Sequence, residues 1–226
     1  MGEYYTELIA IISGVIFLLR KQITRHLTEL IVSLMRYHYH QFNKRTIENY
    51  QQVHAMLIET CNEFNAESVC LHQFHNGQIF ASNNPIWKIS CSHEYCKPGL
   101  QTSAEMLQNV PASSVALVLS SIDKGAELQG VDVVKCECKG VLDCSNQYKF
   151  IAQFNIEQMP DFPLKRIRTL CGYEHSLVVP VHKNGHIIGF LEILTRFDLP
   201  FDMSPDIARL LCVTAAKLSY VLAAAD

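Results

Sequence analysis

SLVVPVHKNGHIIGFLEILTRF, Ser176 to Phe197, decides how this chain folds. It reads as two buried strands joined at Lys183-Asn184-Gly185, where Asn-Gly supplies the positive-φ residues that a tight hairpin turn needs. Leu177, Val178, Val179 and Val181 fill the first strand, and Ile187, Ile188, Phe190, Leu191, Ile193 and Leu194 fill the second. Runs this continuously apolar suit strands covered on both faces. A helical pattern from Pro205 to Ala225 follows and supplies one of those covers. Such uniformly apolar strands make a rigid floor for a sheet, so any chemistry is expected on other elements.

Working outward, Glu67 to His75 (ESVCLHQFH) reads as the first strand, ending at Asn76-Gly77. Trp87 to Tyr95 (WKISCSHEY) is the next and alternates strictly. Lys88, Ser90, Ser92 and Glu94 are expected to point one way, and Ile89, Cys91, His93 and Tyr95 the other. A short helix is expected over Ser103 to Asn109 and a third strand over Val115 to Ser120. The stretch from Ile122 to Tyr148 is weakly patterned and holds one candidate strand, Val131 to Cys136. Phe150 to Phe154 is a short strand or a helix start, and Pro160 to Leu170 a helix or loop leading into the hairpin.

This order, with VVPVHKNGHIIGFLEI and a closing helix, resembles the GAF domain family over residues 44–225. The resemblance implies an α+β fold, a central antiparallel sheet with flanking helices and loops that hold small molecules. A second likeness rests on FHNGQIF, KIS, Glu94 and Pro98-Gly99, which are similar to membrane-tethered, uncharacterised GAF-like proteins of bacteria and phages. Neither likeness brings catalytic residues with it, and a shared fold does not name a function.

The N-terminal part has a different character. Tyr4 to Leu19 (YYTELIAIISGVIFLL) is the one candidate membrane segment. Its sixteen residues reach about 24 Å as a helix, slightly short of a hydrocarbon core of about 30 Å. Arg20, Lys21, Arg25, Arg36, Lys44 and Arg45 follow against a single acid, Glu29, although the whole chain carries a net charge of −3. Positive charge directly after an apolar segment marks the cytoplasmic side of a membrane. From Val15 to Asn76 there is neither glycine nor proline. Ile23, Leu27, Leu30, Ile31, Leu34 and Met35 recur at helical spacing, as do Ile47, Tyr50, Val53, Leu57, Ile58, Cys61 and Phe64. The expected organisation is an anchor helix over 1–21, a basic helical stalk over 22–43, and the α+β domain over 44–226. A break is expected near Tyr37 to Asn43. The stalk's apolar stripe suits pairing with another copy.

With 226 residues and 49% hydrophobic content, the core needs no metal or disulfide to be stable. The nine cysteines follow no regular framework, and no Cys-x-x-Cys unit occurs. Cys136, Cys138 and Cys144, or Cys91 and Cys96 with His93, are the metal sets that spacing offers. Neither matches a zinc ribbon or knuckle, and structural thiols are the expected reading, with no metal. Reduced thiols favour a cytoplasmic location for the folded part. No nucleophile elbow, phosphate loop or HExxH motif is present, so no catalytic residue and no enzyme are expected. No motif names a cofactor. The basic cluster lies beside an apolar helix, where a membrane surface explains it and nucleic acid is not needed.

The candidate ligand-binding set is His72, Phe74, His75, Asn76, Lys88, Ser90, Ser92 and Glu94. If the two strands pair, these groups converge; lysine and serine suit an anionic or polar ligand, and Glu94 accepts from a base or amine. The same alternation equally describes the solvent face of an ordinary strand. The function expected from all this is a membrane-anchored cytoplasmic module that binds an unknown small molecule and signals through helix packing in a homo-oligomer. The alternative is a structural or assembly protein, phage-encoded in one version, that uses the fold as a scaffold.

Overall fold

The computed structural model describes residues 2–79, 85–136, 149–197 and 203–223; within these, residues 2–19, 21, 25, 40–43, 76–79, 85–86 and 223 are described by backbone only. The chain divides into two units, Met1–Glu48 and Asn49–Asp226. The first is the N-terminal part of helix α1 (Gly2–Glu63), which is helical through the expected break at Tyr37 to Asn43. Ile23, Leu27, Leu30 and Leu34 stand exposed along it. Among the described residues no helix is long and apolar enough to cross a membrane. The side chains of the expected anchor, apart from Arg20, lie outside the described residues.

The second unit is built on a sheet of strands β1 (Ser68–Ile79), β2 (Pro85–Cys96), β3 (Val110–Pro111), β4 (Val131–Cys136), β5 (Lys149–Asn155), β6 (His175–Lys183) and β7 (His186–Thr195). All neighbours are antiparallel, in the order β3-β2-β1-β7-β6-β5-β4. The hairpin expected at Ser176 to Phe197 is β6–β7, closed by Asn184 (φ 52°) and Gly185 (φ 80°) between the paired Lys183 and His186. It lies near the middle of the sheet, which is why both faces of its strands are covered.

One face packs against α1 and α4 (Pro205–Ala223). Val53, Leu57 and Cys61 of α1 and Leu211, Ala215 and Leu218 of α4 meet Leu71, Val179, Leu191 and Ile193 of the sheet. A Schellman motif ends α1: Ala66 N–H donates to the Cys61 carbonyl at 2.9 Å and Asn65 N–H to that of Asn62 at 3.3 Å. Asn65 takes the left-handed conformation (φ 45°) that this cap requires.

The opposite face is covered by short 3-10 turns at Ala104–Leu107 and Ala112–Val115 and by helices α2 (Ala116–Lys124) and α3 (Pro163–Leu170). The strand expected over Val115 to Ser120 is therefore helical. Its buried residues, Val115, Val118, Ser121 and Ile122, fall at helical spacing, and Gly125 (φ 65°) caps the end. A short apolar run does not distinguish the two periods, and burial against β5 selects the helix.

Strand β2 corrects a second expectation. Its register against β1 shifts between Leu71 and His72, so Leu71 faces His93, His72 faces Cys91, and Ser92 is an extra residue. A bulge of this kind exchanges the faces of everything beyond it. Ile89 and Cys91 lie on the α2–α3 face. Past the bulge Tyr95 packs toward the α1–α4 face, His93 meets the ring of Tyr50 in α1, and Glu94 joins Cys70 on the α2–α3 face. Lys88 and Ser90 do not share a face with Glu94.

Candidate functional site

Two features occupy the α2–α3 face. The first is a buried polar network over β1 and β7. Leu164 and Arg168 of α3, one turn apart, both point into the core, and Glu192 follows Phe190 in the alternation of β7. Arg168 and Glu192 are each 1% exposed, and His72 is 2% exposed. The Arg168 guanidinium donates through Nε to Glu192 Oε1 at 3.2 Å, through Nη2 to Oε2, and through Nη1 to Ser103 Oγ at 2.6 Å. Ser176 Oγ donates to Oε1 at 2.8 Å, and His72 Nε2 lies 2.9 Å from Oε2. Arg168 Nη2 is also 3.3 Å from His72 Nε2, but the nearer carboxylate is the stronger acceptor, so Nε2 carries its proton toward Glu192.

Ser103 extends the network to β2. Its Oγ donates to Glu94 Oε1 at 2.8 Å, and the Ser103 and Ala104 amides reach the same carboxylate at 2.7 to 3.0 Å. Burial alone raises the Glu192 carboxyl, but Arg168 and then His72 outweigh it and hold the group well below the usual carboxylate range. For His72 burial opposes the charge, yet hydrogen bonds with Cys70 and Glu192 raise its pKa. Burial likewise works against the Glu94 charge, and the Ser103 donors lower its pKa despite that. Around Arg168, Ser176 and Glu192 only about 10 Å³ is open, so protein side chains fill this half of the face.

The second feature is a cleft of about 830 Å³ between α2, the outer strands and the end of the β6–β7 hairpin. Phe74, Leu119, Ile122, Phe150 and Ile187 make its apolar wall, and Lys124, Lys135, His182 and His186 outnumber the one acid, Asp123. Gly125 stands at its edge, where a Cβ would come within 2.6 Å of the Phe150 ring.

The candidate set from the sequence is thus distributed among different surroundings. His72 and Glu94 belong to the buried network, and Phe74 lines the cleft. His75 Nε2 meets Ser90 Oγ at 2.9 Å, and the Asn109 amide donates to the same hydroxyl at 2.9 Å. Ser92 donates to the Leu71 carbonyl at 3.2 Å within the bulge, and Lys88 pairs with His75 and Pro111 across its neighbouring strands. The side chain of Asn76 lies outside the described residues. Sequence reasoning missed Arg168, Ser103 and Glu192. The signal for Glu192 was an acid alone in an apolar strand, which must bring a cation with it when buried.

Of the cysteine sets that spacing offered, Cys138 and Cys144 lie outside the described residues. Cys91 and His93 face opposite sides of the sheet because of the bulge. A different group comes together: the thiols of Cys70 and Cys91 and a ring nitrogen of His72 lie within 4.8 Å of one another, all buried.

Antiparallel strands in this order, helices on both faces and a cleft at one end make an α+β domain of the architecture that the GAF resemblance implies. Solved structures similar to it include the phycoerythrobilin-bound GAF domain of a cyanobacterial phytochrome, at 14% identity over 85% of this chain and 94% of that one, with a TM-score of 0.49. The blue-light absorbing PixJ GAF domain of Thermosynechococcus elongatus is similar at 12% identity, over 79% and 86%, with a TM-score of 0.47. A GAF domain/HD domain protein of Geobacter sulfurreducens is similar at 12% identity, over 77% and 94%, also with a TM-score of 0.47. No protein-family model matches the chain, and no curated protein matches it.

Proposed function

We propose that this chain is a sensory module that binds a small molecule and catalyses nothing, with the ligand seated in the cleft between α2 and the β6–β7 turn. The cleft itself carries the reading: about 830 Å³ lies within the range of about 300–1,000 Å³ usual for small-molecule sites. Its aromatic and aliphatic wall suits a flat apolar body, and its excess of lysine and histidine suits an anionic group on that body. The output runs across the sheet. β1 and β7 present residues to both faces, so a ligand that reseats Phe74 or Ile187 shifts the packing of α1 against α4. Residues 1–21 anchor the module to a membrane with the domain on the cytoplasmic side, and the exposed stripe of Ile23, Leu27, Leu30 and Leu34 pairs two copies.

Native mass spectrometry of the full chain, followed by thermal melting against nucleotides and aromatic carboxylates, tests the binding. A ligand at one hundred times its Kd adds about 2.7 kcal/mol, a rise of about 5–10 °C for a domain this size. The gain should disappear in Ile187→Trp, which fills the cleft. An empty mass spectrum together with no melting shift from either compound class overturns the reading.

A further inference from the structure

The thiols of Cys70 and Cys91 and the imidazole of His72 face one another on the α2–α3 side of β1 and β2, and none of the three lines the cleft. We infer that these three residues form a zinc site, with Glu94 placed to supply the fourth ligand. The Ser92 bulge assembles it: it puts Cys91 directly opposite His72 and turns Glu94 onto the face of Cys70, so that four ligand-type side chains share one face of two strands. The three donor atoms lie within 4.8 Å of one another. Donors on a tetrahedral zinc stand about 3.5–3.8 Å apart, so side-chain rotations closing about 1 Å complete the set. Glu94 Oε1 is already 3.5 Å from Cys70 Sγ.

The surroundings of His72 are those of a metal-bound histidine. Its Nε2 is 2.9 Å from the Glu192 carboxylate, which leaves Nδ1 as the ring nitrogen to offer a metal. A carboxylate holding the far nitrogen of a ligating histidine fixes its tautomer and its direction. Glu192 is itself held by Arg168 and Ser176, so the histidine rests on a rigid support. Charge also balances. Two thiol protons leave as one dication enters, and the buried total is unchanged, while the neighbouring Arg168 is neutralised by Glu192.

The test is the metal content of the full chain expressed with zinc and purified without chelator, with cobalt(II) substitution as an optical readout. One metal per chain is expected, and the cobalt form should show thiolate-to-cobalt charge transfer with tetrahedral d–d bands. Cys70→Ser and Cys91→Ser should each lose both, and Cys212→Ser, a buried thiol on the opposite face, should keep them. Metal well below one per chain in the unaltered protein, or full metal retained in both serine variants, overturns the site. If the serine variants do not fold, X-ray absorption of the zinc-loaded chain decides. Two sulfurs and one imidazole support the site, and a shell of oxygen and nitrogen alone refutes it.

Discussion

Replacing Arg168 by Met tests whether the buried network organises the α2–α3 face. Methionine keeps much of the length and apolar bulk of the arginine stem, so the change removes charge and donors more than volume. What remains is Glu192, 1% exposed, with Ser176 and His72 as its partners and no guanidinium across from it. Ser103 loses the donor that ties its loop to α3. Removing one partner of a buried ion pair typically costs about 3–5 kcal/mol, against total stabilities of about 5–15 kcal/mol. At this size the melting temperature should fall by about 6–20 °C. Urea denaturation followed by circular dichroism on the full chain measures it, with Arg166→Met as control. Arg166 is exposed and pairs with Asp161 near the start of the same helix, so its loss should leave the midpoint unmoved. The double change Arg168→Met with Glu192→Met separates pairing from packing. If the pair is what matters, the double variant should be more stable than the sum of the single losses predicts, by about 1–3 kcal/mol. Strict additivity, or an Arg168→Met variant within about 1 kcal/mol of the unaltered chain, would refute the argument.

Gly189→Ala should destabilise by at least about 2 kcal/mol, because its Cβ would fall 2.0 Å from the His72 carbonyl oxygen on the neighbouring strand; chemical denaturation reads this, and a neutral result would mean that the β1–β7 register differs. Gly125→Ala should cost about 1–2 kcal/mol from its left-handed backbone alone, and the displaced Phe150 ring should weaken any ligand that stabilises the unaltered chain. Leu27→Glu with Leu34→Glu should turn a dimer into a monomer by light scattering in detergent without lowering the melting temperature, since both residues are exposed. Deleting residues 1–21 should release the chain from membranes in flotation assays, and a truncated chain still floating would exclude the anchor.

Much of the scaffold was legible because its signals are local. The Asn184-Gly185 turn needs two positive-φ residues and has them, and the apolar runs on either side mark strands covered twice. Helix and strand over Val115 to Ser120 could not be told apart from six apolar-rich residues, because the deciding contact is with β5, which begins only at Lys149. The candidate site was less legible for a related reason. Alternation along β2 was visible, but the extra residue at Ser92 exists only relative to β1, and it reverses every side chain beyond it. Arg168 looked like one more basic residue in a basic helix. Only its place one turn after Leu164, with Glu192 waiting in the sheet, distinguishes it from Arg166.

The α2–α3 face is divided between two uses, and the division follows from where the charges sit. Glu192 lies within β7 at 1% exposure, so its charge has to be neutralised by a side chain descending from α3. That descent brings Arg168 against Ser103, and Ser103 against Glu94, which closes the face over the β2–β1–β7 strands. Among the described residues no comparable buried charge stands beneath α2. Its inward residues Val118 and Ile122 rest on the apolar core, and the space beyond them is open to the lysines and histidines of the outer strands and the hairpin end. Among the described residues of this face, room for a small molecule lies at the hairpin end, while the other half is filled by side chains. Loosening the closed half through Arg168→Met should consequently weaken ligand binding in the cleft less than it weakens the fold. A variant in which both fell in proportion would mean that the two halves are one cooperative site.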